Sequence, residues 1–187
     1  MKKKKINEVG STLVLVIIVI ALTAVLGTSI LNITMNHYII RKSNGEIIKS
    51  FYISEDGLNR AYLRALDLIV EATGDSVLKA DEYLWDFPDD YIGASNIFEN
   101  NYKTYILSNV VNRISNSGNP YVEVLNKSSI VFISHKLTVK INSKYLSEQR
   151  IEKNTAADII ISVPDYVKTK EGKTNFTSLI SFGSFDL

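Results

Sequence analysis

LVLVIIVIALTAVLGTSIL, residues 13–31, is interrupted only by small or hydroxyl side chains: Ala21, Thr23, Ala24, Gly27, Thr28 and Ser29. An α-helix rises about 1.5 Å per residue, so such a stretch matches the roughly 30 Å hydrocarbon core of a bilayer. From Val9 through Ile40 there is no Asp, Glu, Lys or Arg, and the only histidine is His37. The apolar region of a secretory signal runs for about 7 to 15 residues before a small-residue cleavage site. This run is longer, and a helical pattern continues beyond it, which favours a helix that is kept. Gly27-Thr28-Ser29 leaves cleavage after the apolar run as an alternative.

On the N-terminal side stand Lys2, Lys3, Lys4 and Lys5, with no comparable cluster soon after the run. The positive-inside tendency places that end in the cytoplasm and the remainder outside. Of 21 basic residues in the chain those four precede the run, against only Glu8 of 20 acidic ones, so the body is mildly acidic. It has no basic surplus to neutralise phosphates, and nucleic acid is not an expected partner. A hydrophobic share of 45% with 22% charged residues is globular, and 187 residues suffice for one domain with an appendage. The absence of cysteine excludes disulfides, thiolate metal sites, cysteine nucleophiles and a lipidated N-terminal cysteine.

Past the run, Ser43-Asn44-Gly45 is a weak point for a helix, but amphipathic periodicity resumes over residues 46–72. Ile47, Phe51, Leu58, Ala61 or Tyr62, Ala65, and Leu68 or Ile69 recur at helical steps, with Arg60 and Arg64 on the opposite side. The reading is one long helix, apolar all round in its first part and packed on a globular domain by one stripe of its second.

Two features of this helix match a known pattern. A short basic leader ends at Gly10, directly before Ser11 and the apolar run. This resembles the class III signal of type IV pilins and type II secretion pseudopilins, which a prepilin peptidase cuts after the glycine. The segment SFYISEDGLNRA, residues 50–61, is similar to the A-F-x-x-A-E-A-G-L-x-x-A block of PilX-like minor pilins. Phe51, Glu55, Gly57 and Leu58 match, whereas Ser50, Ser54 and Asp56 stand where small residues or alanine are usual. Major pilins carry a glutamate at the fifth mature position, where it pairs with a neighbour's terminal amine. Counted from Ser11, that position is Leu15, a departure shared by minor and tip-type subunits.

The resemblance covers roughly the first 70 residues. It implies a pilin-like α+β fold, with a long membrane-spanning N-terminal helix packed on a C-terminal antiparallel sheet. The expected organisation is a leader at 1–10, a membrane or filament-core helix at 11–40, its amphipathic continuation at 41–73, and an extracytoplasmic α+β body at 74–187. It implies a non-enzymatic minor pilin or pseudopilin that initiates, caps or modulates a filament. The implied partners are other pilin subunits, the inner-membrane assembly platform and the prepilin peptidase. The alternative is a signal-anchored cell-surface protein whose outer domain binds a ligand or partner.

In the body, residues 81–91 are aromatic and acidic and read as loop with a helical turn. Phe98, Tyr102, Tyr105, Ile106, Val110 and Ile114 fit a second amphipathic helix ending near Ser115–Pro120. Strands are expected at 121–125, 130–133, 136–142, 156–163 (stopped by Pro164) and 179–182.

No catalytic or cofactor motif is present, and none is expected. His37 and His135, far apart in the chain, do not form a metal-site signature. Asp86, Asp89 and Asp90 offer hard oxygen ligands for calcium, but without EF-hand spacing, and a solvated loop is the simpler reading. Tyr83, Trp85, Phe87 and Tyr91 are expected to cover the helix–sheet junction, with a partner surface as the alternative. Thr23 and Gly27 form a small-xxx-small pair that permits close helix packing.

Overall fold

A computed structural model describes the backbone of residues 6–186 and the side chains of residues 12–185. The leader lysines Lys2–Lys5 and the side chain of Ser11 lie outside the described residues. Helix α1 spans Ile6–Asp86 and α2 spans Tyr91–Ile114. Strands β1 (Tyr121–Val124), β2 (Phe132–Ile133), β3 (Lys136–Leu146) and β4 (Glu152–Ser162) follow. A short α3 (Tyr166–Lys170), a 3₁₀ turn (Phe176–Ser178) and β5 (Ile180–Asp186) complete the chain. The described residues form two units that divide between Glu46 and Ile47. The first is the apolar part of α1; the second holds the rest.

Within the second unit all strand pairings are antiparallel, in the order β1-β3-β4-β5, with β2 also pairing with β3. The β3–β4 hairpin sets the frame, from Lys136↔Ser162 to Leu146↔Glu152. Strand alternation turns Leu137, Val139, Ile141 and Ser143 to one face, opposite Ile161, Ile159, Ala157 and Thr155. All eight are buried, while Thr138 and Lys140 on the other face are exposed. A sheet covered on one side reads as this clean alternation.

The covering layer is helical. From α1 come Leu58, Ala61, Ala65, Leu68, Ile69 and Ala72; from α2 come Tyr102, Ile106, Val110 and Ile114, at four-residue steps. Together with Val122, Val124 and Ile180 they form one core with the inward face of the sheet. The α+β expectation, a long N-terminal helix packed on an antiparallel sheet, is what the structure shows.

Several boundaries differ from expectation. First, α1 does not weaken after Gly74 but runs to Asp86, and α2 begins at Tyr91 rather than near Phe98. Gly74 faces open space, so its cost is only its helix propensity, about 1 kcal/mol. Meanwhile Ala72, Thr73, Ser76 and Ala80 carry the buried stripe onward with small side chains. Second, Asp90 ends the connection early: its carboxylate accepts from Gly93 N at 2.9 Å and caps α2. Third, β2 keeps only Phe132 and Ile133, whereas β3, β4 and β5 run longer than their apolar cores. Backbone pairing extends a strand past its hydrophobic residues.

Candidate assembly surface

The first unit has the simplest site chemistry. Every side chain over residues 12–40 is exposed, including Leu15 at 62%, Ile17 at 58% and Leu22 at 56%. This part of α1 is long and apolar enough to cross a membrane. Four of its hydroxyl side chains are satisfied within the helix. The hydroxyl of Thr23 donates to Val19 O and Ile20 O, both at 2.9 Å. Thr28, Ser29 and Thr34 donate to carbonyls in the preceding turn in the same way. Such internal pairing is what a helix in hydrocarbon needs. Gly27 has nothing near its absent Cβ, and Ile30, Leu31, Thr34 and Tyr38 continue its face along a shallow depression of about 420 Å³. Ser43, Asn44 and Gly45 are helical, and the division between the two units follows directly after them.

The block at residues 50–61 lies on the sheet. Gly57 and Leu58 are buried, and Leu58 enters the core. Gly57 permits the close approach, because a Cβ there would stand 2.1 Å from Ser143 Oγ and 3.1 Å from Pro120 Cγ. Phe51 and Glu55 are half-buried, so the structure does not bring them into the core with Leu58. Ile47 also lies outside the stripe, at 36% exposure.

Ser50 and Ser54, which depart from the family block, occupy the buried face instead. Ser54 Oγ donates to Ser143 O at 2.8 Å and lies 2.9 Å from Thr155 Oγ1. Ser50 Oγ and Ser143 Oγ are buried with no hydrogen-bond partner among the described residues. A serine at each fourth position leading into Gly57-Leu58 was visible in the sequence as a stripe of small residues. Departing from alanine there, they still keep the small volume that close packing requires. Arg60 pairs with Asp56 at 2.7 Å on the exposed side. Arg64 is half-buried and reaches Ile114 O at 3.5 Å, at the C-terminus of α2.

The acidic aromatic segment does not cover the helix–sheet junction. Trp85 is 85% exposed, Tyr91 57% and Phe87 54%. Only Tyr83 is half-buried; its ring lies 4.9 Å from Phe87 and its hydroxyl donates to Asp90 Oδ2 at 2.7 Å. The Gly93 amide, and then Tyr83, hold the Asp90 carboxyl below its usual range, while Asp90 raises the Tyr83 hydroxyl. Asp90 is thus engaged as a cap, and no group of three acidic or histidine side chains among the described residues is placed to hold a metal ion.

Two polar clusters escaped sequence reading because their members are far apart in the chain. Asp81 Oδ1 accepts from Tyr166 Oη at 2.9 Å and from Lys170 Nζ at 2.7 Å, tying α3 to the end of α1. The Lys170 hydrogen bond lowers the Asp81 pKa and Asp81 raises that of Lys170. In the second cluster, Glu99 on α2 contacts Lys103 and lies 3.1 Å from His135 Nε2. Lys103 first, then His135, hold the Glu99 carboxyl below its usual range. His135 and Ser134 form the β2–β3 turn with φ of 66° and 49°, the left-handed pair that a two-residue hairpin requires. His135 is therefore a turn and surface-pair residue, and His37 lies on the exposed apolar helix.

No family model matches the chain, and neither a curated protein nor a solved structure matches it. The surface that stands out is the exposed apolar part of α1, joined to a half that is tightly packed on its own sheet.

Proposed function

We propose that this protein is a minor pilin or pseudopilin, a non-enzymatic subunit that initiates, caps or modulates a type IV pilus-like filament. The observation that carries the reading is the uninterrupted exposure of apolar side chains over residues 12–40 in the same helix whose later turns anchor a folded antiparallel body. Lipid satisfies such a helix before assembly, and the helices of neighbouring subunits satisfy it afterwards. The basic leader ending in Gly10 and the block around Gly57 support the same reading from sequence. In it, prepilin peptidase cuts after Gly10, and the helix from Ser11 remains in the inner membrane until the assembly platform extracts it. The body faces outward. Leu15, in place of an acid, removes the pairing that sets register between major subunits and favours a minor position.

Mass spectrometry of the N-terminus in the native host tests this. A chain beginning at Ser11, with a methylated amine, is the expected product, and Gly10 replaced by a bulky residue should abolish it. An intact Met1 or cleavage after Ser29 would overturn the reading. The intact chain would instead support a single-pass surface protein with a partner-binding outer domain, which the apolar helix alone would anchor equally well.

A further inference from the structure

The corner between α1 and α2 carries the most exposed aromatic side chain of the second unit, and nothing in the filament reading uses it. From the charge and shape of this corner we infer that it docks a lysine- or arginine-rich segment of another polypeptide. Trp85, Phe87, Tyr91 and Ile92 are all large, apolar and more than half exposed, Trp85 at 85% and Ile92 at 78%. Solitary exposed apolar residues are ordinary; a run of four at one helix–helix corner marks an interaction surface. Two open depressions meet there at Pro88. One, about 460 Å³, is lined by Asp81, Leu84, Trp85, Pro88 and Lys170; the other, about 470 Å³, by residues 86–90.

Charge selects the occupant. From residue 80 to residue 92 there are five acidic residues, Asp81, Glu82, Asp86, Asp89 and Asp90, and no basic one. Two are already engaged: Asp81 by Tyr166 and Lys170, and Asp90 by Gly93 and Tyr83. Lys170 lines the first depression and is committed to Asp81. Among the described residues, the side chains of Glu82, Asp86 and Asp89 form no hydrogen bond or ion pair and remain available. Trp85 lines the first depression and the free carboxylates Asp86 and Asp89 line the second, with Pro88 common to both. A segment carrying several guanidinium or ammonium groups lying across Pro88 gains attraction to the ring face in one and to the acids in the other. A neutral aromatic patch would suit an apolar partner, and an acidic patch alone would hold only a diffuse counterion cloud. The combination is specific for a cationic side chain with an apolar stem. The proposal is independent of filament membership, so failure of either leaves the other standing.

Trp85 is the only tryptophan in the chain, so its emission reports this corner directly. The full chain in nonionic micelles is titrated with a Gly-Arg-Lys repeat peptide, with a Gly-Glu repeat peptide and a neutral oligosaccharide as comparators. The basic peptide should shift the emission saturably in about 0.1 M salt, and the shift should vanish near 1 M, where the Debye length falls to roughly 3 Å. Asp86→Asn with Asp89→Asn should weaken binding about fivefold without altering the circular dichroism, since neither side chain has a partner to lose. Trp85→Ala, read by anisotropy of a labelled peptide, should weaken it about as much. An unshifted emission, equal binding of the acidic peptide, or unchanged affinity of the double variant would each overturn the proposal. A shift with the oligosaccharide alone would also overturn it, in favour of a glycan surface.

Discussion

The two parts of α1 share one helix and follow opposite rules. Over residues 12–40 most side chains are large and apolar, and all are exposed. From Ser50 to Ala80 the buried stripe is mostly small, with Ser50, Ser54, Gly57, Ala61, Ala65, Ala72, Ser76 and Ala80 recurring among only three large residues, Leu58, Leu68 and Ile69. Bulk on the first part excludes water when lipid or neighbouring helices surround it. Smallness on the second lets the helix backbone lie close to a sheet and to α2. The comparison teaches that hydrophobicity alone does not place a helix: side-chain volume decides how near its partner can come.

The contrast breaks most visibly by deleting equivalent bulk from each part. Ile69→Ala should destabilise the second unit by about 2–5 kcal/mol, because Ile69 is fully buried between helices and sheet. Ile17→Ala should leave it unchanged within about 0.5 kcal/mol. Hydrogen exchange of the β3 and β4 amides, measured on the full chain in micelles, reads both. Equal effects would mean that the two parts are not distinct in packing.

A smaller effect sharpens the role of close approach. Gly57→Ala gains helix propensity but drives a Cβ into Ser143, for a net loss of about 1–2 kcal/mol. Ser143→Ala removes the hydroxyl that the new methyl meets, and that hydroxyl has no partner to lose. The double variant should therefore recover part of the loss, and additive effects in denaturant titrations would refute the contact. The smallest effect has the opposite sign. Gly74 faces open space, so Gly74→Ala should stabilise by about 0.5–1 kcal/mol. A loss there would show that the exposed face of the helix is covered.

Much of this arrangement was legible in the chain. The span over residues 13–31 needs only a count of apolar residues, and the α2 positions Phe98, Tyr102, Ile106, Val110 and Ile114 only a helical period. The strand alternation at Leu137, Val139 and Ile141 was equally plain. Phe51 shows where such reading fails. By period it is a large apolar residue in register with the stripe, yet the buried positions on either side are Ser50 and Ser54. Periodicity marks a face only to within about one residue in a turn of 3.6, and close packing favours the small neighbour over the large one.

The same limit applies to the corner around Trp85. Composition announced aromatic and acidic residues but not whether the aromatics turn inward, which depends on α1 running on to Asp86 and on Asp90 starting α2. Local properties (apolar length, leader charge, helical and strand periods) belong to consecutive residues and are therefore present in the chain as written. The seating of Gly57 on Ser143, the tie from Asp81 to Tyr166 and Lys170, and the outward turn of Trp85 join residues that are distant in sequence or depend on where helices end. Those features exist only once the sheet and the two helices have closed on one another, because close approach and burial are properties of pairs of surfaces.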